Sequence, residues 1–160
     1  MSYKAILLDQ LNACYDDPSW FTPLHDILVD LTVEEAAYVQ SEQGHSIWGI
    51  VNHLIFWNQK WLERYISEHI EGNYSAQNDA TFVVDPSEIN DLQWRETLHK
   101  LETVFRDWNK ALEESDENKL IQPIPSFFNA PWWRVVSNLC THNAYHIGQI
   151  MLLKKTMRQT

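Results

Sequence analysis

Between Trp94 and Leu112 the large apolar residues fall at positions 94, 98, 101, 105, 108 and 112, in alternating steps of four and three. That 3.5-residue period belongs to a helix packed lengthwise in a bundle. It predicts a helix over about 88–114. A second stripe, Ile47, Ile50, Leu54, Trp57, Trp61 and Tyr65, follows Ser46, a suitable N-cap, and predicts a helix over about 46–69. A third, with apolar residues at 132, 135, 139, 150 and 153, predicts a final helix over about 132–157, ending in Lys154, Lys155 and Arg158, which suit a helix C-terminus. The N-terminal region carries Leu7, Leu11 and Cys14, then Leu24, Ile27, Leu28 and Leu31, with Asp16-Asp17-Pro18 between. It reads as one broken first helix, roughly 3–30, whose second piece starts at a Thr22-Pro23 cap or at Ser19. Thr32-Val33-Glu34-Glu35 is a capping box opening about two further turns. Four long amphipathic segments without a repeat or linker imply an all-α four-helix bundle, one domain over 1–160. Only four glycines in 160 residues agree with a helical chain. Residues 70–90 and 115–130 read as two long connections that shape a pocket or flap.

Composition excludes several roles. A net charge of −10 argues against a nucleic-acid partner, because phosphate backbones demand basic surface. No apolar run approaches the roughly 18 residues of a membrane span, and no signal peptide is visible, so a cytoplasmic, reducing setting is expected. Two cysteines imply no disulfide framework, and Cys140 reads as a buried apolar residue. Eight tryptophans must be buried or line a pocket or interface.

His142 and His146 stand one turn apart on the buried face of the final helix, between Leu139 and Ile150. That spacing lets both rings hold one metal ion, as in H-E-x-x-H helices; the missing carboxylate between them excludes the zinc-protease reading. His53, on the edge of the second helix's apolar face, supplies a third ligand. Burying three histidines without a common purpose would be costly. Three protein ligands leave open positions, the catalytic rather than structural pattern. Imidazole suits zinc, nickel, iron, copper and cobalt, and the set does not tell zinc, nickel, iron and manganese apart. Gln149, three residues after His146, is placed to hydrogen-bond a distal ring nitrogen, whereas Tyr145 and Asn143 turn away from the pair. Gly49 lies one turn before His53, where room for a histidine or ligand would offset its helix cost of about 1 kcal/mol. Trp57 and Trp132 are candidate pocket walls, although Trp132 also serves as packing at the helix start. Ala144 and Gly148 form a small-x-x-x-small face suited to close helix approach or a dimer seam. The other four histidines read as structural or solvated, with His45 near enough to reach the pocket mouth.

Two stretches, His45-Ser46-Ile47-Trp48-Gly49-Ile50-Val51-Asn52-His53 and His142-Asn143-Ala144-Tyr145-His146-Ile147-Gly148-Gln149-Ile150, resemble the start of the metal-binding helix and the H-x-x-x-H-x-G-Q finish of the DinB/YfiT-like superfamily. Trp20 in its Ser-Trp pair is similar to that pattern as well. The resemblance implies an up-down-down-up four-helix bundle with a long crossover connection, often a homodimer, with His53, His142 and His146 as ligands of one divalent transition metal. It also implies a choice of activities, since relatives include transferases or isomerases that use low-molecular-weight thiols as well as hydrolases. The fold does not choose among them. The leading expectation is a metal-dependent thiol S-transferase acting on a small-molecule substrate. A metal-dependent hydrolase is the alternative, weakened because no carboxylate stands beside the triad in sequence. A non-catalytic metal- or small-molecule-binding stress protein is the third.

Overall fold

The computed structural model describes residues 2–70 and 78–159. The chain is all-α, with a single two-residue β-hairpin among the described residues. Its frame is four long helices: α1 (Tyr3–Tyr15), α4 (Ile47–Ser67), α5 (Asp91–Glu114) and α7 (Trp132–Met157). α4 and α1 each pack against both α5 and α7, closing a four-membered ring around one core. Short helices α2 (Leu24–Leu28), α3 (Val33–Ala37) and α6 (Glu117–Ile121) cover its ends.

Local chemistry sets the boundaries. Ser46 accepts from Gly49 N at 3.0 Å to start α4, and Asn90 accepts from Gln93 N at 3.0 Å to start α5. Thr32 and Glu35 form the reciprocal capping box of α3, which runs for five residues rather than two full turns. The expected first helix is two separate pieces. Asp16, Asp17 and Pro18 end α1, and α2 begins only at Leu24, with Pro23 at its N-cap and neither Thr22 nor Ser19 capping it. The 115–130 connection is also more regular than its sequence suggested. It holds α6 and the hairpin β1 (Pro123–Ile124) with β2 (Ala130–Pro131), whose loop carries Phe128 and Asn129 at positive φ. Of the 70–90 connection, residues 71–77 lie outside the described part, and the remainder forms two 3-10 turns, Asp79–Phe82 and Pro86–Glu88.

Most of the predicted stripe residues form the core, with Trp57, Trp61, Leu98 and Leu153 half-buried at its edge. Leu11, Leu54, Phe105, Trp108, Leu112 and Ile150 are fully buried. Four of the tryptophans, Trp48, Trp94, Trp108 and Trp132, are buried, whereas Trp20 is 97% exposed. At the heart lies an amide pair: Asn58 and Asn143, both 0% exposed, exchange Nδ2–H···Oδ1 bonds of 2.8 and 3.0 Å across α4 and α7. Asn58 also donates to Leu54 O, and its own carbonyl accepts from Trp108 Nε1 at 2.9 Å. These bonds fix the rotation of α4 against α7, and with it the histidines those helices carry. At the far end of α7, Lys154 and Arg158 bond carboxylates as well as the helix dipole. Arg158 grips Asp30 and Glu35, and both cations hold Asp30 well below the usual carboxylate range, at about 2.

Candidate metal centre

His53 reaches the interior from the second turn of α4; His142 and His146 reach it from consecutive turns of α7. The three rings meet. His142 Nε2 lies 3.1 Å from His53 Nε2 and 3.2 Å from His146 Nε2, and one potential ligand atom from each residue falls in a common cluster. An ion about 2.0–2.1 Å from each nitrogen would set them roughly 2.9 Å apart at right angles and roughly 3.4 Å apart at tetrahedral angles. The two separations to His142 fall between those limits, and the three ligand atoms all lie within 4.8 Å of one another. His53 is 2% exposed and His146 6%, so both are shielded from bulk water.

The neighbours of two rings fix their tautomers. Thr81 Oγ1 gives its proton to Asn78 O at 2.6 Å, so at 2.7 Å from His53 Nδ1 it acts as acceptor. His53 therefore carries its proton on Nδ1 and leaves Nε2 bare. Gln149 Nε2 donates to Tyr145 Oη at 3.1 Å while Gln149 Oε1 stands 2.7 Å from His146 Nδ1, accepting its proton and leaving that Nε2 bare too. Hydrogen bonding of the distal nitrogen is how proteins orient metal-ligating histidines. His142 differs: its Nδ1 is buried without a partner among the described residues. A proton on His142 Nε2 could satisfy only one of the two bare lone pairs; a cation among the three satisfies all of them. Burial, then the proximity of like groups, pushes His53 down to about 3 and His142 to about 4; burial also lowers His146. The rings are thus neutral, the form a metal requires.

Other sequence-predicted positions sort clearly. Gln149 lies against His146 Nδ1. Trp57 packs edge-on to His53 at 6.3 Å between centroids and donates Nε1–H to Asn78. Gly49 needs a different explanation from the expected room for a ligand. A Cβ there would lie 2.4 Å from the backbone oxygen of Phe82, so the glycine admits the Asp79–Phe82 turn. Trp132 does not reach the histidines: it is buried edge-to-face on Tyr65, and ten helical residues, about 15 Å, separate it from His142. Tyr145 reaches the site through Gln149 despite pointing away from the pair. His45 stacks on Phe82, whose other face covers His53, each pair 4.0 Å apart and within 13° of parallel. Thr81, Phe82 and Asn78 were not anticipated. They belong to a connection without periodicity, 25 or more residues from His53, and only the tight approach at Gly49 brings them in.

A cavity of about 280 Å³ opens beside His142, with Trp57, Trp61 and Leu139 among its walls; Asn78 and Phe127 bring residues of both long connections to it. The cysteines play no part: Cys14 and Cys140 are free and buried, as expected of Cys140, and burial raises both thiols.

A helical bundle that turns three neutral imidazoles onto one point fits a metal-binding protein. A family model described as DinB superfamily matches residues 22–150, and the chain belongs to that superfamily. Comparison with curated proteins and with solved structures returned no match. Among the described residues no helix is long and apolar enough to cross a membrane.

Proposed function

We propose that this chain is a metal-dependent transferase of the thiol S-transferase type, holding one divalent transition ion on the Nε2 atoms of His53, His142 and His146. The observation that carries this reading is the pair of bare, buried lone pairs directed at a third ring beside an open cavity. Bound there, such an ion would lower the pKa of a coordinated thiol or water and keep positions open for it. The chain's own residues do the rest. Thr81 and Gln149 hold two rings in the required tautomer, Phe82 shields His53 from solvent, and Trp57 and Trp61 flank the space where a second substrate sits.

Thiol transfer is favoured over hydrolysis because, among the described residues, the ligand cluster consists of histidines alone, with no carboxylate joined to it to serve as general base. The test is turnover of a chromogenic electrophile with and without a low-molecular-weight thiol, before and after chelation. The proposal expects turnover that needs both thiol and metal. Turnover without thiol selects the hydrolase, and equal rates after chelation reject metal dependence. Metal binding with no turnover leaves the stress-binding protein. The buried reduced cysteines suit a cytoplasmic setting. A homodimer is supported by the open face of α7, where Tyr145 and Leu152 are exposed.

A further inference from the structure

The cavity at His142 differs in character from the rest of the surface. The chain carries −10 overall, yet among the described residues no carboxylate, ammonium or guanidinium lines this cavity. Its walls are the rings of Trp57, Trp61 and Phe127, its floor Val135 and Leu139. The aromatic walls are anchored: Trp57 bonds Asn78 through its indole nitrogen, Trp61 has the Arg64 guanidinium 4.5 Å over its ring, and Phe127 meets Trp61 edge-to-face at 5.3 Å. At the mouth stands Asn138, an exposed side chain that bonds no other described residue. The larger groove between α4 and α5, about 720 Å³, is bordered by Lys100, His99 and Asp107 and includes Thr81, the partner of His53.

We infer that the 280 Å³ cavity is the binding site for a flat, uncharged aromatic electrophile, one or two rings in size, whose polar substituent faces the Asn138 amide. Flat rings are what indole and phenyl walls hold best, by offset or edge contacts. A carboxylate or sulfonate held between these rings, away from the metal position at His142, would find no cation among the described lining side chains, the Arg64 guanidinium being engaged over the Trp61 ring, and would lose its hydration without an ion pair in return. Asn138 can both donate to and accept from a neutral carbonyl, nitro or hydroxyl group. The volume admits one such molecule and excludes a peptide or a nucleotide. This inference rests on the proposed function for what the bound molecule then undergoes, but not for its binding.

The experiment uses 2-naphthol as a neutral probe, with 2-naphthoate and 2-naphthalenesulfonate as anionic counterparts, each followed by probe fluorescence anisotropy on the full chain with its zinc content measured in parallel. The expected result is at least tenfold tighter binding of 2-naphthol than of 2-naphthalenesulfonate with or without zinc, and than of 2-naphthoate on the chelated chain, where no ion can ligate the carboxylate. Phe127→Ala and Trp61→Ala weaken 2-naphthol at least fivefold, and Trp61→Phe restores most of that loss. Asn138→Lys, at an exposed helical position that leaves the fold intact, narrows the neutral-over-anion preference at least fivefold. Trp20→Ala, at a residue that does not line the cavity, changes nothing. Equal affinity for the neutral and anionic probes overturns the inference, as does indifference to Asn138→Lys together with the aromatic variants. Zinc bound at one equivalent without probe binding sinks this inference and spares the metal centre; probe binding without zinc binding does the reverse.

Discussion

Replacing Gly49 by alanine should destabilise the protein, although the same change in an exposed helix stabilises it. Alanine gains about 0.8–1 kcal/mol of helix propensity over glycine. At Gly49, however, the new methyl would lie 2.4 Å from the backbone oxygen of Phe82, and ordinary contact begins at 3.4 Å. The obstacle is backbone, so the Asp79–Phe82 turn must retreat by about 1 Å or α4 must tilt, an overpacking cost of about 1–3 kcal/mol. The net expectation is a loss of up to about 2 kcal/mol. The displaced turn carries Thr81, which fixes the His53 tautomer, and Phe82, which stacks on that ring. Losing such a supporting contact typically weakens metal binding about 10–100-fold. Gly148→Ala is the internal control: nothing lies within 4 Å of its Cβ, so it should stabilise by up to about 1 kcal/mol. Urea denaturation of the metal-free proteins reads the first quantity, and competition for zinc against a chromophoric chelator reads the second. Should Gly49→Ala gain the same stability as Gly148→Ala and keep its zinc affinity, the turn does not hold His53 and the reasoning fails.

Three further outcomes follow from the same interior. Asn143→Ala strands the Asn58 amide in a fully buried position and should cost about 1–3 kcal/mol, with a double-mutant cycle against Asn58→Ala returning a large coupling. The metal-free protein should lose stability as pH falls. His53 is held at about 3 and His142 at about 4 against roughly 6.5 unfolded, so below pH 6.5 the unfolded chain takes up protons the folded rings refuse. The loss develops between about pH 6.5 and 3 and is absent above pH 7; His53→Gln should flatten it, and a slope unchanged in that variant contradicts the assignment. Native Cys14, pushed up to about 11 by burial, and Cys140, pushed higher still, should resist thiol reagents at pH 8 until denaturant opens the core; rapid labelling of the folded chain would show the α1–α7 contact to be open.

Legibility in the sequence followed a physical rule: whatever a single helix decides by itself could be read. The i, i+4 relation of His142 and His146, the apolar stripe that carries His53 inward, and the Ser46 and Thr32 caps each depend on residues within one or two turns. What depends on two elements meeting could not. Asn143 looks like any polar helical residue until Asn58 arrives opposite it from α4. Gly49 was legible as a space but not as to what fills it, because the Phe82 carbonyl comes from a connection with no period to follow. Trp132 shares the stripe of the histidines yet lies about 15 Å along the axis from them, a distance that facial periodicity does not register. The family likeness found at residues 45–53 and 142–150 extends over 22–150, so the short motifs spoke for most of the chain.

The central claim concerns three nitrogens and one ion, and anomalous diffraction tests it most directly. Crystals of tag-free protein loaded with one equivalent of zinc, measured across the zinc edge, should give a single strong anomalous peak about 2.0–2.2 Å from the Nε2 atoms of His53, His142 and His146, lost in His146→Ala. A peak on other residues, or none at full zinc loading, would contradict it.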